Sequence, residues 1–241
     1  AYLGRATPPS SDELLDEMQQ TLAAARGRTV CVRLLDIGAD KPLPFLRFMA
    51  ETNPSLGRRG IRYLREYPEL LQTHLRALLE LSKEFDARVL VPMVTLPEDV
   101  VAVKEQLTRL GAEMQMSALP SLGAMIETPA AALSAREIAR HADFLSFGTN
   151  DLTQYAFAAD RDSAAVDRYF DDAADPIFRL LRIAHDDVPE VPLSVCGELA
   201  GRSEHIPKLL QCGIRTVSVA PPLVPMIKEA IRGSKAYPST T

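Results

Sequence analysis

The feature that most constrains this chain of 241 residues is an alternation. Short apolar runs are each followed by a longer segment with helical periodicity. The runs are Thr29–Ile37, Val89–Val94, Leu122–Ile126, Asp143–Phe147, Leu193–Val195 and Thr216–Val219. Helices are expected over residues 68–84, 97–110, 130–140, from Leu152 onward, and over 176–187, 203–211 and 223–232. In the first of these, Leu70, Leu71, Leu75, Leu78 and Leu79 share one face. Runs this apolar read as strands buried on both faces. Strands alternating with helices wind a parallel sheet through right-handed crossovers. The expected fold class is therefore α/β, a (βα)8 TIM-type barrel, incomplete because six of eight strands are found. A doubly wound open sheet is the competing fold, but no Gly-rich loop of the dinucleotide-binding kind is present.

Residues 1–28 hold one helix and no convincing strand, and read as the remnant of a preceding βα unit. There Ser10-Ser11-Asp12-Glu13 is a helix start, and Leu14, Leu15, Met18, Leu22 and Ala25 follow at helical spacing. Residues 29–232 make up the barrel and 233–241 a tail. A net charge of −5 without a basic run argues against nucleic acid as the main partner. No apolar stretch reaches the ~18 residues of a membrane span, and the amino terminus is not a signal peptide. Three cysteines, Cys31, Cys196 and Cys212, are odd in number and lack metal-ligand spacing. That usage suits a reducing cytosol, so a cytoplasmic location is expected. Cys31 and Cys212 read as packing residues.

Function in such folds sits at the carboxyl ends of the strands. Collected there are Arg33 and Asp36, Glu127, Asn150 and Asp151, and Cys196 and Glu198. Thr149, Asn150 and Asp151 follow Gly148 and are also the residue types that cap a helix. Two carboxylates at one mouth, Glu127 and Asp151, need a cation, a shared proton or arginine partners. An oxygen-only pair suits Mg²⁺. Arg33, Arg59 and Arg161 are candidate anion binders, because a guanidinium grips a carboxylate or phosphate in bidentate fashion. Arg33 lies in an apolar run and needs a partner. Arg58, Arg59 and Arg62 share one glycine-flanked turn, where at least one is a solvated charge. Cys196 is either a packed thiol or a group that moves a proton. The four histidines lie on expected helices or at their ends, and none is assigned a catalytic role.

Five segments in this order carry a resemblance. They are Arg33-Leu-Leu-Asp-Ile-Gly-Ala-Asp-Lys41, Asn53-Pro-Ser-Leu-Gly-Arg-Arg-Gly-Ile-Arg62, Ile126-Glu-Thr-Pro-Ala130, Phe147-Gly-Thr-Asn-Asp-Leu-Thr-Gln-Tyr155 with Asp160-Arg161, and Cys196-Gly-Glu-Leu-Ala-Gly201. Together they resemble the C-terminal phosphoenolpyruvate-binding barrel of Enzyme I of the bacterial sugar phosphotransferase system, over about Tyr2 to Arg232. Pyruvate phosphate dikinase and phosphoenolpyruvate synthase share that barrel and are the nearest alternatives. A non-catalytic module for dimerisation or regulation is a further alternative.

The resemblance implies that Glu127 and Asp151 hold Mg²⁺. It implies that Arg33, Arg59, Asn150, Asp151 and Arg161 bind phosphoenolpyruvate, and that Cys196 protonates the enolate as pyruvate forms. It implies as partners a phosphohistidine domain of the same enzyme and, through it, a histidine-containing carrier protein, with a homodimer as the assembly. Leu34 and Ala39 stand where the family usually has Thr and Gly; neither change removes a charge. The family's barrel has two further strands upstream, so the expectation is an open sheet edged by the strands of Arg33 and Val217.

Overall fold

A computed structural model of the chain describes residues 2, 5–25, 27–38, 43, 45–46 and 51–234. In chain order the helices are α1 (Ser11–Leu22), α2 (Ile61–Glu66), α3 (Pro68–Leu81), α4 (Pro97–Glu113), α5 (Pro129–Leu133), α6 (Ala135–Ala139), α7 (Thr149–Phe157), α8 (Asp175–Asp187), α9 (Ile206–Gln211) and α10 (Val224–Gly233). The strands are β1 (Thr29–Arg33), β2 (Asp86–Val94), β3 (Ser121–Ile126), β4 (Phe144–Gly148), β5 (Leu193–Cys196) and β6 (Thr216–Val217). The six strands lie in one sheet in chain order, so β1 and β6 are its edges, as expected. The fold is α/β, consistent with six of the eight βα units of a TIM-type barrel. No helix among the described residues is long and apolar enough to cross a membrane. The expected turn through Ala39, Asp40 and Lys41, Pro42 and Pro44 of the loop after it, and the tail from residue 235 lie outside the described residues.

The chain divides into two compact units. The first comprises Ala1–Met93 and Pro97–Gly123. Here α1 opens on a capping box: the Ser10 hydroxyl accepts from the Glu13 N–H at 3.2 Å, and the Glu13 carboxylate accepts from the Ser10 N–H at 2.8 Å. β1 pairs with β2 in parallel, from Thr29 opposite Asp86 to Arg33 opposite Leu90. α3 begins with Pro68, where a missing N–H costs nothing, and buries Leu70, Leu71, Leu75, Leu78, Leu79 and Leu81. Arg76 ties α3 to Glu113 of α4 at 2.6 Å.

The second unit comprises Val94–Leu96 and Ala124–Thr241. β4 is buried along its whole length. It pairs in parallel with β5, setting Gly148 opposite Cys196, and β5 pairs with β6 through Val195 and Val217. α8 covers α5 and α7 with Ile177, Phe178, Leu181 and Ala184.

Four local expectations are corrected. β1 ends at Arg33 rather than Ile37: the Leu34 N–H still reaches Leu90 at 2.9 Å, but the Ile37 carbonyl turns to the Gly60 N–H. The single helix expected over 130–140 is two, because Ser134 leaves the helical region (φ −109°, ψ 21°) and shares its N–H between the Ala130 and Ala131 carbonyls. The helix expected from Ser203 starts as a tight 3₁₀ turn over Ser203–His205, with α9 beginning only at Ile206. Pro207 lacks an N–H and fits only the first turn of a helix. Cys31 is exposed on the edge strand rather than packed, whereas Cys212 is buried as expected.

Candidate active site

In the first unit the strand-end charges gather on one carboxylate. Asp36 lies just past β1 with a side chain 5% exposed. Its Oδ2 is 3.2 Å from Arg33 Nη1 and 3.5 Å from Arg59 Nη2. Arg33 is the last residue of β1 and its side chain remains 44% exposed, so its partner sits at the sheet's end rather than inside it. Arg59 is the buried one. It is held in a turn whose next residue, Gly60, has φ 54° and donates its N–H to the Ile37 carbonyl at 2.9 Å. A Cβ at Gly60 would fall 2.7 Å from Met93 Cβ and 3.2 Å from Asp36 Oδ1. Met93, near the end of β2, itself has φ 57°, a conformation rare for side-chain-bearing residues. The neighbouring arginines do other work: Arg58 pairs with Glu66 at 3.2 Å, and Arg62 donates to the Leu56 and Gly57 carbonyls.

In the second unit the strand ends carry carboxylates. Glu127 follows β3 and is 1% exposed. Its side chain lies across the end of β4 because Gly148 has no Cβ; one built there would sit 2.7 Å from Glu127 Oε1. Asp151 is buried in the first turn of α7. α7 closes at Ala158 in the left-handed region (φ 49°), and the Ala159 N–H returns to the Gln154 carbonyl at 3.1 Å. The Arg161 N–H then bonds Gln154 Oε1 at 3.2 Å. This reversal explains the ten-residue spacing: it brings Arg161 Nη1 to 3.8 Å from Asp151 Oδ2. That is a long pair, and the Arg161 side chain is 28% exposed.

Cys196 ends β5 against the same edge. Its thiol faces the Phe147 carbonyl at 3.4 Å, and its own carbonyl accepts from the Thr149 hydroxyl at 3.0 Å. Gly197 follows with φ 96° and ψ −177°. A Cβ there would collide with Thr149 Oγ1 and lie 2.7 Å from Asn150 Oδ1. Asn150 Oδ1 accepts from the Glu198 N–H at 2.9 Å. The three residues expected as helix caps are therefore inside α7: its cap position is Gly148, which makes no side-chain capping bond.

The structure thus joins Arg33 with Arg59 in one unit. In the other it places Glu127, Asn150, Asp151, Arg161 and Cys196 at successive strand ends. Sequence reasoning missed Asp36 as the shared partner of two arginines, Gln154 as the anchor of Arg161, and the task of Thr149. It also missed a buried carboxylate, Asp172, paired with Arg202 at 3.1 Å. No group of three or more His, Cys, Asp or Glu is gathered for a metal among the described residues. Glu127 and Asp151 are two buried carboxylates, one just past β3 and one in the first turn after β4, and Gly148, between them in chain order, leaves room for the Glu127 side chain. That set fits Mg²⁺, which takes one or two carboxylates and completes its shell with water and substrate oxygens.

An α/β domain of barrel type, with guanidinium groups and buried carboxylates at its strand ends, carries the residue types that suit small anions and a hard cation. A family profile described as "PEP-utilising enzyme, PEP-binding domain" matches residues 1–236, and the chain belongs to that family. It is 39% identical over 239 residues to a multiphosphoryl transfer protein of Xanthomonas campestris, covering 96% of this chain and 28% of that protein. It is 34% identical over 234 residues to multiphosphoryl transfer protein 2 of Escherichia coli, covering 94% and 28%. It is 35% identical over 240 residues to the phosphoenolpyruvate-protein phosphotransferase of Haloferax volcanii, covering 95% and 42%. The chain therefore spans well under half the length of these relatives.

Proposed function

We propose that this chain is the phosphoenolpyruvate- and Mg²⁺-binding catalytic domain of an Enzyme I-type phosphotransferase, acting in the cytoplasm as part of a homodimer. The observation that carries the reading is Glu127, buried over Gly148 with Asp151 and Arg161 at the next strand end. An oxygen-only ligand pair and a placed arginine are what a phosphorylated carboxylic acid with its metal requires.

In this reading Arg161 and Asn150 orient the substrate beside Asp151, and Arg33 and Arg59 are further anion-binding groups. Bound Mg²⁺ would neutralise charge on the phosphoryl and carboxylate oxygens, held by Glu127 and Asp151. Phosphoryl transfer needs little beyond alignment and charge neutralisation, which guanidinium groups supply. A histidine on a separate phosphohistidine domain attacks phosphorus, and the bond from phosphorus to the enol oxygen breaks. The enolate then takes a proton at C3 from the Cys196 thiol, pyruvate leaves, and solvent reprotonates the thiolate. The phosphorylated histidine passes its group to a histidine-containing carrier protein.

Calorimetric titration with phosphoenolpyruvate tests the core of this. Binding is expected with Mg²⁺ and at least tenfold weaker with a chelator, and Glu127→Gln and Asp151→Asn should abolish the metal's effect. Binding that is equally tight with and without Mg²⁺ would overturn the assignment of the two carboxylates.

A further inference from the structure

We propose that Thr149 is the residue that aims the Cys196 thiol, a positioning residue for proton delivery to C3; this rests on the reading of Cys196 as the proton donor. Thr149 is fully buried in the first turn of α7. A capping threonine would stand one residue earlier, where its oxygen accepts from the helix's own free N–H groups. This one instead crosses to the neighbouring strand end and donates its single hydroxyl proton to the Cys196 carbonyl at 3.0 Å.

The bond fixes the peptide plane between Cys196 and Gly197 at the point where the chain leaves β5. Two further contacts complete the hold. The Glu198 N–H is held by Asn150 Oδ1 at 2.9 Å, and Gly197, at φ 96°, lies so close to Thr149 Oγ1 that no side chain fits between them. With its backbone fixed on both sides, the thiol's remaining freedom is rotation about its own Cα–Cβ bond. At rest it donates weakly to the Phe147 carbonyl at 3.4 Å, a contact that it can leave at little cost. In the step itself the S–H bond breaks and a C3–H bond forms with the enolate's electron pair. The C2 carbonyl re-forms and a thiolate remains. A donor held this way meets C3 from one direction, and loss of the hydroxyl would let the Cys196–Gly197 plane rotate.

Burial alone would make Thr149 a packing residue, and valine has nearly its shape, so the substitution separates the two roles. The experiment uses the whole chain carrying Cys31→Ser, which removes the exposed thiol and leaves Cys212 buried. Two readouts are followed: alkylation of Cys196 by iodoacetamide, and Mg²⁺-dependent exchange of pyruvate C3 hydrogens in deuterated water. Thr149→Val should change the alkylation rate at least threefold and slow exchange about tenfold, while Thr149→Ser keeps both near the parent values. Should Thr149→Val not fold, Thr149→Ala removes the same hydroxyl without adding bulk at Cγ. Unchanged alkylation and exchange in the folded variant lacking the hydroxyl would overturn the proposal, as would a serine variant behaving like valine. Cys196→Ala is the separate control. If it exchanges as fast as the parent, Cys196 is not the donor and the reading beneath the proposal falls, whereas the alkylation result still decides whether Thr149 holds the thiol.

Discussion

The two units build their strand ends by different means. In the first, two guanidinium groups converge on the single carboxylate of Asp36, and position is set by charge. In the second, carboxylates and a thiol are set in place by close backbone approach at Gly148 and Gly197, and by hydrogen bonds that Thr149 donates and Asn150 and Gln154 accept. A site held by charge is sensitive to loss of one partner. One held by glycines is sensitive to added atoms. The experiments that follow press on that difference.

The largest effect is expected at Gly197. Its φ of 96° with ψ near 180° is almost confined to glycine, and a methyl group would also strike Thr149. Backbone strain of about 1–3 kcal/mol and overpacking of similar size together place Gly197→Ala at about 3 kcal/mol of lost stability or more. Urea denaturation measures it. A loss below 1 kcal/mol would mean the turn relaxes freely and that the second unit is not held as described.

Arginine deletions should then separate the units. Arg59 is buried against Asp36, so Arg59→Ala leaves a shielded carboxylate short of a partner and should cost about 2–3 kcal/mol. Arg161 is partly exposed and 3.8 Å from Asp151, and Arg161→Ala should cost less than about 1 kcal/mol. Arg161→Ala should nevertheless weaken phosphoenolpyruvate binding at least tenfold. Equal stability losses in the two variants would erase the contrast.

Below these stands an acid-sensitive element in the first unit. His74 on α3 is buried, its Nδ1 has no hydrogen-bond partner among the described residues, and it lines a cavity of about 330 Å³ with Tyr2, Leu14 and Met18. Burial pushes its pKa down to about 4. Between about 6.5 and 4 the unfolded chain binds a proton there and the folded chain does not, so stability falls as pH drops through that window. The slope for one such proton is about 1.4 kcal/mol per pH unit. His74→Phe should flatten that part of the stability–pH curve. A curve of unchanged slope would show that His74 takes up its proton while folded.

These contrasts also mark what the sequence could show. Alternating apolar runs carry strand number and order, because a strand buried on both faces cannot tolerate polar residues wherever it sits. The candidate side chains were legible as strand-end groups for a related reason: Arg33, Glu127 and Cys196 stand at or just past the end of such a run, and Asp151 in the first turn of the helix after one. Asp36 was legible as a strand-end group, but not as the anchor of Arg59, which lies 23 residues further on in a separate turn. Thr149 misled because its residue type and position suit a cap. Only the register that sets Gly148 opposite Cys196 shows that its hydroxyl faces the next strand. Cys31 misled because periodicity marks a residue as apolar but does not tell an edge strand from a central one.

The smallest effect has the opposite sign to that of His74 and lies in the second unit. Asp172 is 3% exposed, and burial raises its pKa above the ordinary carboxylate range, against the lowering influence of the Arg202 guanidinium 3.1 Å away. The folded chain therefore holds this proton to higher pH than the unfolded chain does. Its contribution to stability is fully present below the unfolded carboxylate value and is lost as pH rises through the folded one. Because the Arg202 side chain is 42% exposed, the pair is worth less than about 1 kcal/mol, and the sharper readout is the titration itself. Following the Asp172 side-chain carbon by NMR, Arg202→Met should move the midpoint upward, since the largest influence opposing burial is gone while Glu198 and Asp171 continue to push in burial's direction. A midpoint that stays in place would mean that Arg202 spends its time in solvent. The loop carrying Asp172 would then owe its position to packing alone.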